Sequence, residues 1–371
     1  MKKSNINELK YYIALGAPPI RDVVEEELPF MRPEVGFNPS WFHKNCDIDF
    51  SQRWHTDVEF RLKCHKKMKS EIRKRFKGYN IGRAESNDPP DLLTGIFGIG
   101  IMDSIFNRPL RYFQDKWPVP VGEHLSDDEV DSLLIPDLVN NEFMNNINDQ
   151  LEKIYRLTGS VKGFLNWQGN LNTAFRFRGD SIFSDIMLKP ELSKHLLDVI
   201  SSTYINGVNQ IYDMQRQYGI DYRFATVANC TVNMVGPEFY DSVLLQYDQK
   251  ISEEFEYIGI HNCAWTVTPY LDSYSKVSKV AYIDMGLDSD LAKAKKLFPN
   301  ARRNCLYTSW DLKNKSEEEI ETDFKFIAKH LAPCDVGMPD IEADVSDERI
   351  MYAMDLCKRF SDEPKQQIKT S

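Results

Sequence analysis

His261 and Cys263 stand two residues apart at the end of Tyr257-Ile258-Gly259-Ile260, a short apolar run that reads as a strand. Residues i and i+2 of a strand point the same way, so an imidazole nitrogen and a sulfur can meet at one point in space. Such a pair is half of a zinc site. A catalytic zinc takes three protein ligands and keeps one position open. Cys334, in Leu331-Ala332-Pro333-Cys334-Asp335-Val336-Gly337, is the best third candidate, with Cys305 as its rival. Asp284, at the end of Val280-Ala281-Tyr282-Ile283, is a possible fourth ligand when substrate is absent. Two thiolate ligands return negative charge to the metal, and zinc ionises a bound thiol well below its free pKa of about 8.5. A substrate sulfur held there is both ionised and electron-rich, which suits attack on a methyl group. The plainer reading of His-x-Cys alone is a packed cysteine beside a histidine that donates to a backbone carbonyl.

The elements that must position these residues alternate. Val161–Trp167, Phe224–Asn229, Tyr257–Ile260, Val280–Asp284 and Cys305–Thr308 read as strands. Helices are expected from Pro190 to about Tyr218, Gly236 to about Glu254, Ser316 to Lys329 and Ser346 to Phe360. Pro190 suits a first turn, and Ser346 a cap. Strand-then-helix repetition means parallel strands joined by crossovers. A (β/α)8 TIM barrel is the leading architecture, and a doubly wound open sheet the second. The aromatic, irregular first part of the chain, with an amphipathic helix over Asp57–Lys77, predicts an N-terminal extension over 1–90, ended by Asn87-Asp88-Pro89-Pro90; the barrel then spans 91–371. The tail from Asp362 is polar and reads as frayed.

Barrel active sites are built from loops that follow strands. Gln168 and Asn170 follow the first predicted strand, and Asn229 with Cys230 ends the next; Gln168, Asn170 and Asn229 are therefore the expected substrate contacts. Arg176 and Arg178 suit either an anionic substrate or surface ion pairs. His43 with Cys46, and Cys64 with His65, resemble a second metal grouping. Adjacent helix residues diverge by about 100°, however, so Cys64 and His65 are poorly placed to share an ion. Phe97-Gly98-Ile99-Gly100 lacks the order of a nucleotide loop.

The chain has 371 residues, 42% of them hydrophobic, and a formal charge of -10. That charge argues against a polyanion such as DNA held by bulk attraction. No apolar run approaches the roughly 20 residues of a membrane span, and the N-terminus does not read as a secretory signal, so the expected location is the cytoplasm. Seven cysteines, an odd number, do not form a disulfide framework.

Several stretches together resemble a known family. They are Gly169-Asn170-Leu171-Asn172-Thr173-Ala174, Phe183-Ser184-Asp185-Ile186 with Lys189-Pro190-Glu191, Gly236-Pro237-Glu238-Phe239-Tyr240 with Tyr247-Asp248, Gly259-Ile260-His261-Asn262-Cys263, and Cys334-Asp335-Val336. In this order and spacing the segment from Gly163 to about Phe360 resembles the uroporphyrinogen decarboxylase superfamily, and more narrowly its cobalamin-linked methyltransferase branch. The resemblance implies a TIM barrel and a zinc ion held by a His-x-Cys pair and a distant cysteine, which map onto His261, Cys263 and Cys334. The related cobalamin-independent methionine synthases carry a further acidic ligand, and Asp284 falls near that place. Two departures stand out. Ala264-Trp265 follows Cys263 where the branch often has Gly, and Pro333 precedes Cys334 where it often has Gly. Met31-Arg32-Pro33 is no match for the Arg-rich signature of the decarboxylases.

No histidine lies in an Asp-x-His-x-x-Gly corrinoid motif. The resemblance therefore implies a corrinoid brought by a separate carrier protein that docks over the barrel mouth. The expected activity is zinc-dependent methyl transfer between that carrier and a thiol such as coenzyme M, tetrahydrofolate or a methylated small molecule. The alternatives are a porphyrinogen-type decarboxylase and a non-catalytic corrinoid- or small-molecule-binding protein.

Overall fold

Eight strands are present in the computed structural model, which describes residues 30–362. They are β1 (Met31–Phe37), β2 (Leu110–Arg111), β3 (Val119–Pro120), β4 (Phe224–Ala228), β5 (Tyr257–His261), β6 (Val280–Gly286), β7 (Arg302–Leu306) and β8 (Cys334–Ile341). Six of them form one sheet in the order β1-β8-β7-β6-β5-β4, and β2 pairs only with β3. Every ladder of the large sheet is parallel. Its strands are buried along nearly their whole length, as expected of a parallel sheet covered by its crossover helices. The result is an α/β fold with TIM-barrel-like architecture.

The helices start where the local chemistry permits. Pro190 opens the long helix Pro190–Arg216. Reciprocal capping boxes start Asp127–Asp131, Ser309–Asn314 and Glu317–His330, from Ser126, Thr308 and Ser316 respectively. The helix expected from Gly236 is broken into Pro237–Phe239, a π-turn over Tyr240–Leu244, and Leu245–Glu254. No helix among the described residues is long and apolar enough to cross a membrane.

Two expectations need correction. Within the expected extension, Met31–Phe37 does not sit apart from the sheet: it is an integral strand paired with β8 from Met31↔Cys334 onward. An ion-pair cluster anchors it. Asp335 of β8 accepts from Arg32 Nε (2.7 Å) and Nη2 (2.9 Å) on one side and from Arg302 Nε (2.9 Å) on the other. The second correction concerns 161–167, which carries no regular ladder. Its backbone groups are met by side chains instead. Gln215 Nε2 donates to the carbonyls of Val161 and Gly163 (2.8 Å each), and Phe164 N donates to Thr94 Oγ1 (3.1 Å). Periodicity cannot reveal such substitutions for a ladder. The predictions for the N-terminal start and for the tail beyond Asp362 lie outside the described residues.

Candidate metal centre

Cys230, His261 and Cys263 come together at the C-terminal ends of β4 and β5. Their ligand atoms all lie within 4.8 Å of one another, and Cys263 Sγ is 3.4 Å from His261 Nε2. Bonds of about 2.0–2.3 Å to a tetrahedral ion set neighbouring ligand atoms roughly 3.3–3.8 Å apart, so this edge has the right length. Among the described residues this is the one grouping of its kind.

The strands bring the three residues together. Ala228 of β4 is in register with His261 of β5, and Asn229 N donates to the His261 carbonyl (2.7 Å). Cys230 follows directly. Cys263 lies beyond the strand and does not reach the cluster by strand alternation. Its backbone is left-handed, with φ +56°, an uncommon conformation for a residue with a Cβ. That turn returns its sulfur towards His261 Nε2. Asn262, between the two, is locked. Its N–H donates to Asp284 Oδ1 (2.7 Å), its Nδ2 to the Asp284 carbonyl (2.9 Å), and its Oδ1 accepts from Tyr274 (2.7 Å).

Asp284, expected as a possible fourth ligand, stands outside the grouped ligand atoms. It lies wholly buried behind the imidazole, and His261 Nδ1 donates to its Oδ2 at 2.6 Å. A carboxylate only accepts, so Nδ1 carries a proton, and Nε2 is the ring atom turned towards the two sulfurs. Tyr282 also donates to Oδ2 (3.0 Å), and Asn304 Nδ2 donates to the Tyr282 oxygen (2.9 Å). A carboxylate that orients a ligating histidine is a common feature of metal sites.

Cys334 does not join the cluster, and strand parity is the reason. It opens β8 rather than closing it, and its neighbour Asp335 occupies the face shared with Arg302. Gly337, of the same parity as Asp335, faces Asn304; a Cβ there would lie 2.8 Å from Asn304 Nδ2. Cys334 therefore faces the other way, towards Cys305 and towards Cys357 on the helix Asp347–Asp362. Burial pushes its thiol up to about 12. The rival Cys305 is equally enclosed.

Electrostatics mark the cluster as unusual. The hydrogen bond from Cys263, together with the charge of His261 and a contact from Asn172, holds the Cys230 thiol well below its ordinary pKa; the Cys263 thiol is raised by the same bond and by burial. Burial opposes protonation of His261, but Asp284 and the two cysteines outweigh it and raise its pKa. Asp340, at the far end of β8 in a left-handed conformation, is near enough to sense His261. Water reaches Asp340, yet protein crowds its carboxyl, and desolvation raises it to about 6.

The three expected substrate contacts behave differently. Asn229 faces away, and its Nδ2 donates to buried Asp248 (2.8 Å), which also accepts from Tyr240 (2.5 Å). Gln168 is committed to neighbouring amides, donating to Asn166 Oδ1 (3.1 Å) and accepting from Asn172 Nδ2 (3.0 Å). Asn170 is 3% exposed, and neither of its amide atoms has a hydrogen-bond partner. Arg176 and Arg178 are paired with Asp103 and Asp185. His43 binds the Ile48 carbonyl through Nδ1 (2.9 Å).

Cys230 was read from the sequence only as a strand-end residue beside an expected substrate contact, not as a candidate ligand. The available signal was adjacency: it ends the strand before His-x-Cys, and consecutive parallel strands sit side by side.

No family model matches the sequence, and no curated protein sequence matches it. Among solved structures, a methyltransferase from Methanosarcina mazei superposes with a TM-score of 0.64 at 13% identity, covering 91% of this chain and 95% of that one. At that identity the likeness is one of fold, and it extends over nearly the whole of both chains.

Proposed function

We propose that this chain is a zinc-dependent methyltransferase in which Cys230, His261 and Cys263 hold the metal, on a sheet closed into a barrel through the segments 91–97 and 161–169. The observation that carries this reading is the convergence of two sulfurs and one correctly oriented imidazole nitrogen within 4.8 Å at strand C-termini. The methyltransferase from Methanosarcina mazei, sharing the fold, supports the reaction class. When bound, zinc would supply an open fourth position at which a thiol is ionised near neutral pH.

The chain's own residues prepare that position. Asp284 fixes the tautomer and direction of the His261 ring. Asn262 and Tyr274 hold the turn that presents Cys263. Cys230 releases its proton readily, so one of the two thiols is close to ligand-ready before metal arrives. Asp340, near the C-terminal end of β8 and close enough to sense His261, has a raised pKa, suited to accept the proton that an incoming thiol must lose. The methyl group would pass to or from a corrinoid on a separate carrier protein over this mouth.

The decarboxylase alternative requires convergent, unpaired arginines. Here Arg32 and Arg302 are both spent on Asp335, and Arg176 and Arg178 on Asp103 and Asp185. The test is direct. Zinc-loaded protein is incubated with methylcobalamin and a panel of thiols, and loss of the methyl–cobalt absorbance is followed. Thiol-dependent demethylation that Cys263→Ser abolishes is the expected result; equal rates with and without the protein would refute the assignment.

A further inference from the structure

The helix Asn170–Arg178 begins against the metal centre, and its start is unfinished. Gly169 occupies the N-cap position, and no side chain caps the first turn. Capping there is sterically barred. A Cβ on Gly169 would lie 2.3 Å from the Ala228 carbonyl oxygen, so only glycine allows the helix to press against the end of β4. The amides of a first turn lack partners within the helix and carry the positive end of its dipole. Asn172, one turn edge away, accepts from Thr231 N (3.0 Å) and Thr231 Oγ1 (2.7 Å), which ties this helix start to the residue after Cys230.

Asn170 is the second observation. It is 97% buried (3% exposed), opens the helix, and leaves both Nδ2 and Oδ1 without partners. Burying both ends of a carboxamide without partners is costly, and each such group calls for an explanation. Gln168 and Asn172 beside it both have partners, Gln168 in Asn166 and Asn172 and Asn172 in Gln168 and Thr231, so in this amide row Asn170 alone is left without them.

We infer that the uncapped start of this helix and the Asn170 carboxamide form an oxyanion subsite beside the Cys230–His261–Cys263 centre, taking the carboxylate, sulfonate or phosphate end of the substrate. Several N–H donors against one carbonyl acceptor favour a group rich in acceptors, and the dipole favours negative charge. The inference rests on the proposed function only for what lies at the other end of the substrate, a thiol or methylated atom at the metal.

The test keeps the two ideas apart. Zinc-loaded full-length protein is titrated calorimetrically with acetate, methanesulfonate and inorganic phosphate, and their ranking identifies the headgroup. Thiol binding is followed separately in cobalt-substituted protein by the thiolate charge-transfer band. At least one anion should bind, and Asn170→Asp should weaken it tenfold or more by placing a carboxylate where the anion sits. Asp favours a helix start, so that variant should fold; Asn170→Leu should lose the same affinity. A mercapto-acid should bind cobalt protein about tenfold more tightly than 2-mercaptoethanol, and the gap should close in both variants. If no anion binds, or Asn170→Asp leaves anion affinity unchanged, the subsite is overturned. Anion binding without any thiolate band would overturn the metal reading and leave the subsite standing.

Discussion

Asp284 separates holding a ligand from being one. Replacing it with Asn keeps the volume and an acceptor oxygen but removes the charge that fixes the Nδ1 proton of His261. Metal affinity should then fall roughly 10–100-fold with the ion still bound at high zinc, as for other outer carboxylates. A competition titration with a chromophoric chelator measures this, and unchanged affinity in Asp284→Asn would remove the orienting role. At this scale the sequence was partly legible. His261 and Cys263 were evident because their types and spacing are chemically unusual. Cys230 was not, because a lone cysteine after Ala228-Asn229 carries no local signature. Asp284 was found as a residue near the site, but its hydrogen bond to His261 Nδ1 was not foreseen, since sequence cannot tell which side of an imidazole a carboxylate faces.

At the scale of elements, the loop after β5 leans on the end of β6. Gly286 N donates to the Trp265 carbonyl (3.0 Å), and a Cβ on Gly286 would lie 2.1 Å from the Ala264 carbonyl oxygen. Gly286→Ala must therefore push away the segment that carries Cys263. The expected outcome is a folded protein destabilised by about 1–3 kcal/mol, with metal affinity reduced more than stability alone explains. Urea unfolding beside a zinc titration tests it; wild-type zinc affinity in Gly286→Ala would show that the Cys263 turn does not depend on this contact. The alternation of strands and helices from β4 to β8 was legible from periodicity and caps. β1 was not, because an Arg-Pro-Glu stretch among aromatic residues looks like a linker until Asp335 is seen to pair with Arg32. Cys334 was misplaced because a cysteine between a helix and a Gly-containing stretch reads equally well as the start or the end of a strand. Only the register Asn304↔Asp335 fixes which face it takes.

At the scale of the molecule, residues 30–90 are packed into the body of the fold. His55 accepts from Phe97 N (2.8 Å), and both His55 and His65 are buried beside Trp54. Burial, with the charge of Arg61, pushes both pKa values down to about 3. As pH falls below about 6.5 the unfolded chain takes up these two protons and the folded one does not, so stability is lost progressively towards pH 3. Asp248 works in the opposite direction. Burial raises it to about 6 although Tyr240 and Asn229 pull it down, so it favours the folded state as pH falls from 6 to about 4. Asp340, also raised to about 6, acts in the same sense as Asp248, so between pH 6 and 4 the two aspartates offset the two histidines and the histidine share must be read as a difference. Urea midpoints of chelator-treated protein measure it: His65→Leu removes one group, on the order of 1.4 kcal/mol per pH unit, and should gain stability relative to wild type as pH falls from 6 to 4. A constant gap between His65→Leu and wild type over that range would mean that His65 is not held neutral.

The identity of the third ligand is the claim on which the chemistry turns. Purified wild-type protein, Cys230→Ser, Cys263→Ser and Cys334→Ser are each dialysed and their zinc content measured per chain. One zinc in the wild type and in Cys334→Ser, and loss in both Cys230→Ser and Cys263→Ser, is the predicted result. Zinc retained by Cys230→Ser and lost from Cys334→Ser would contradict the account.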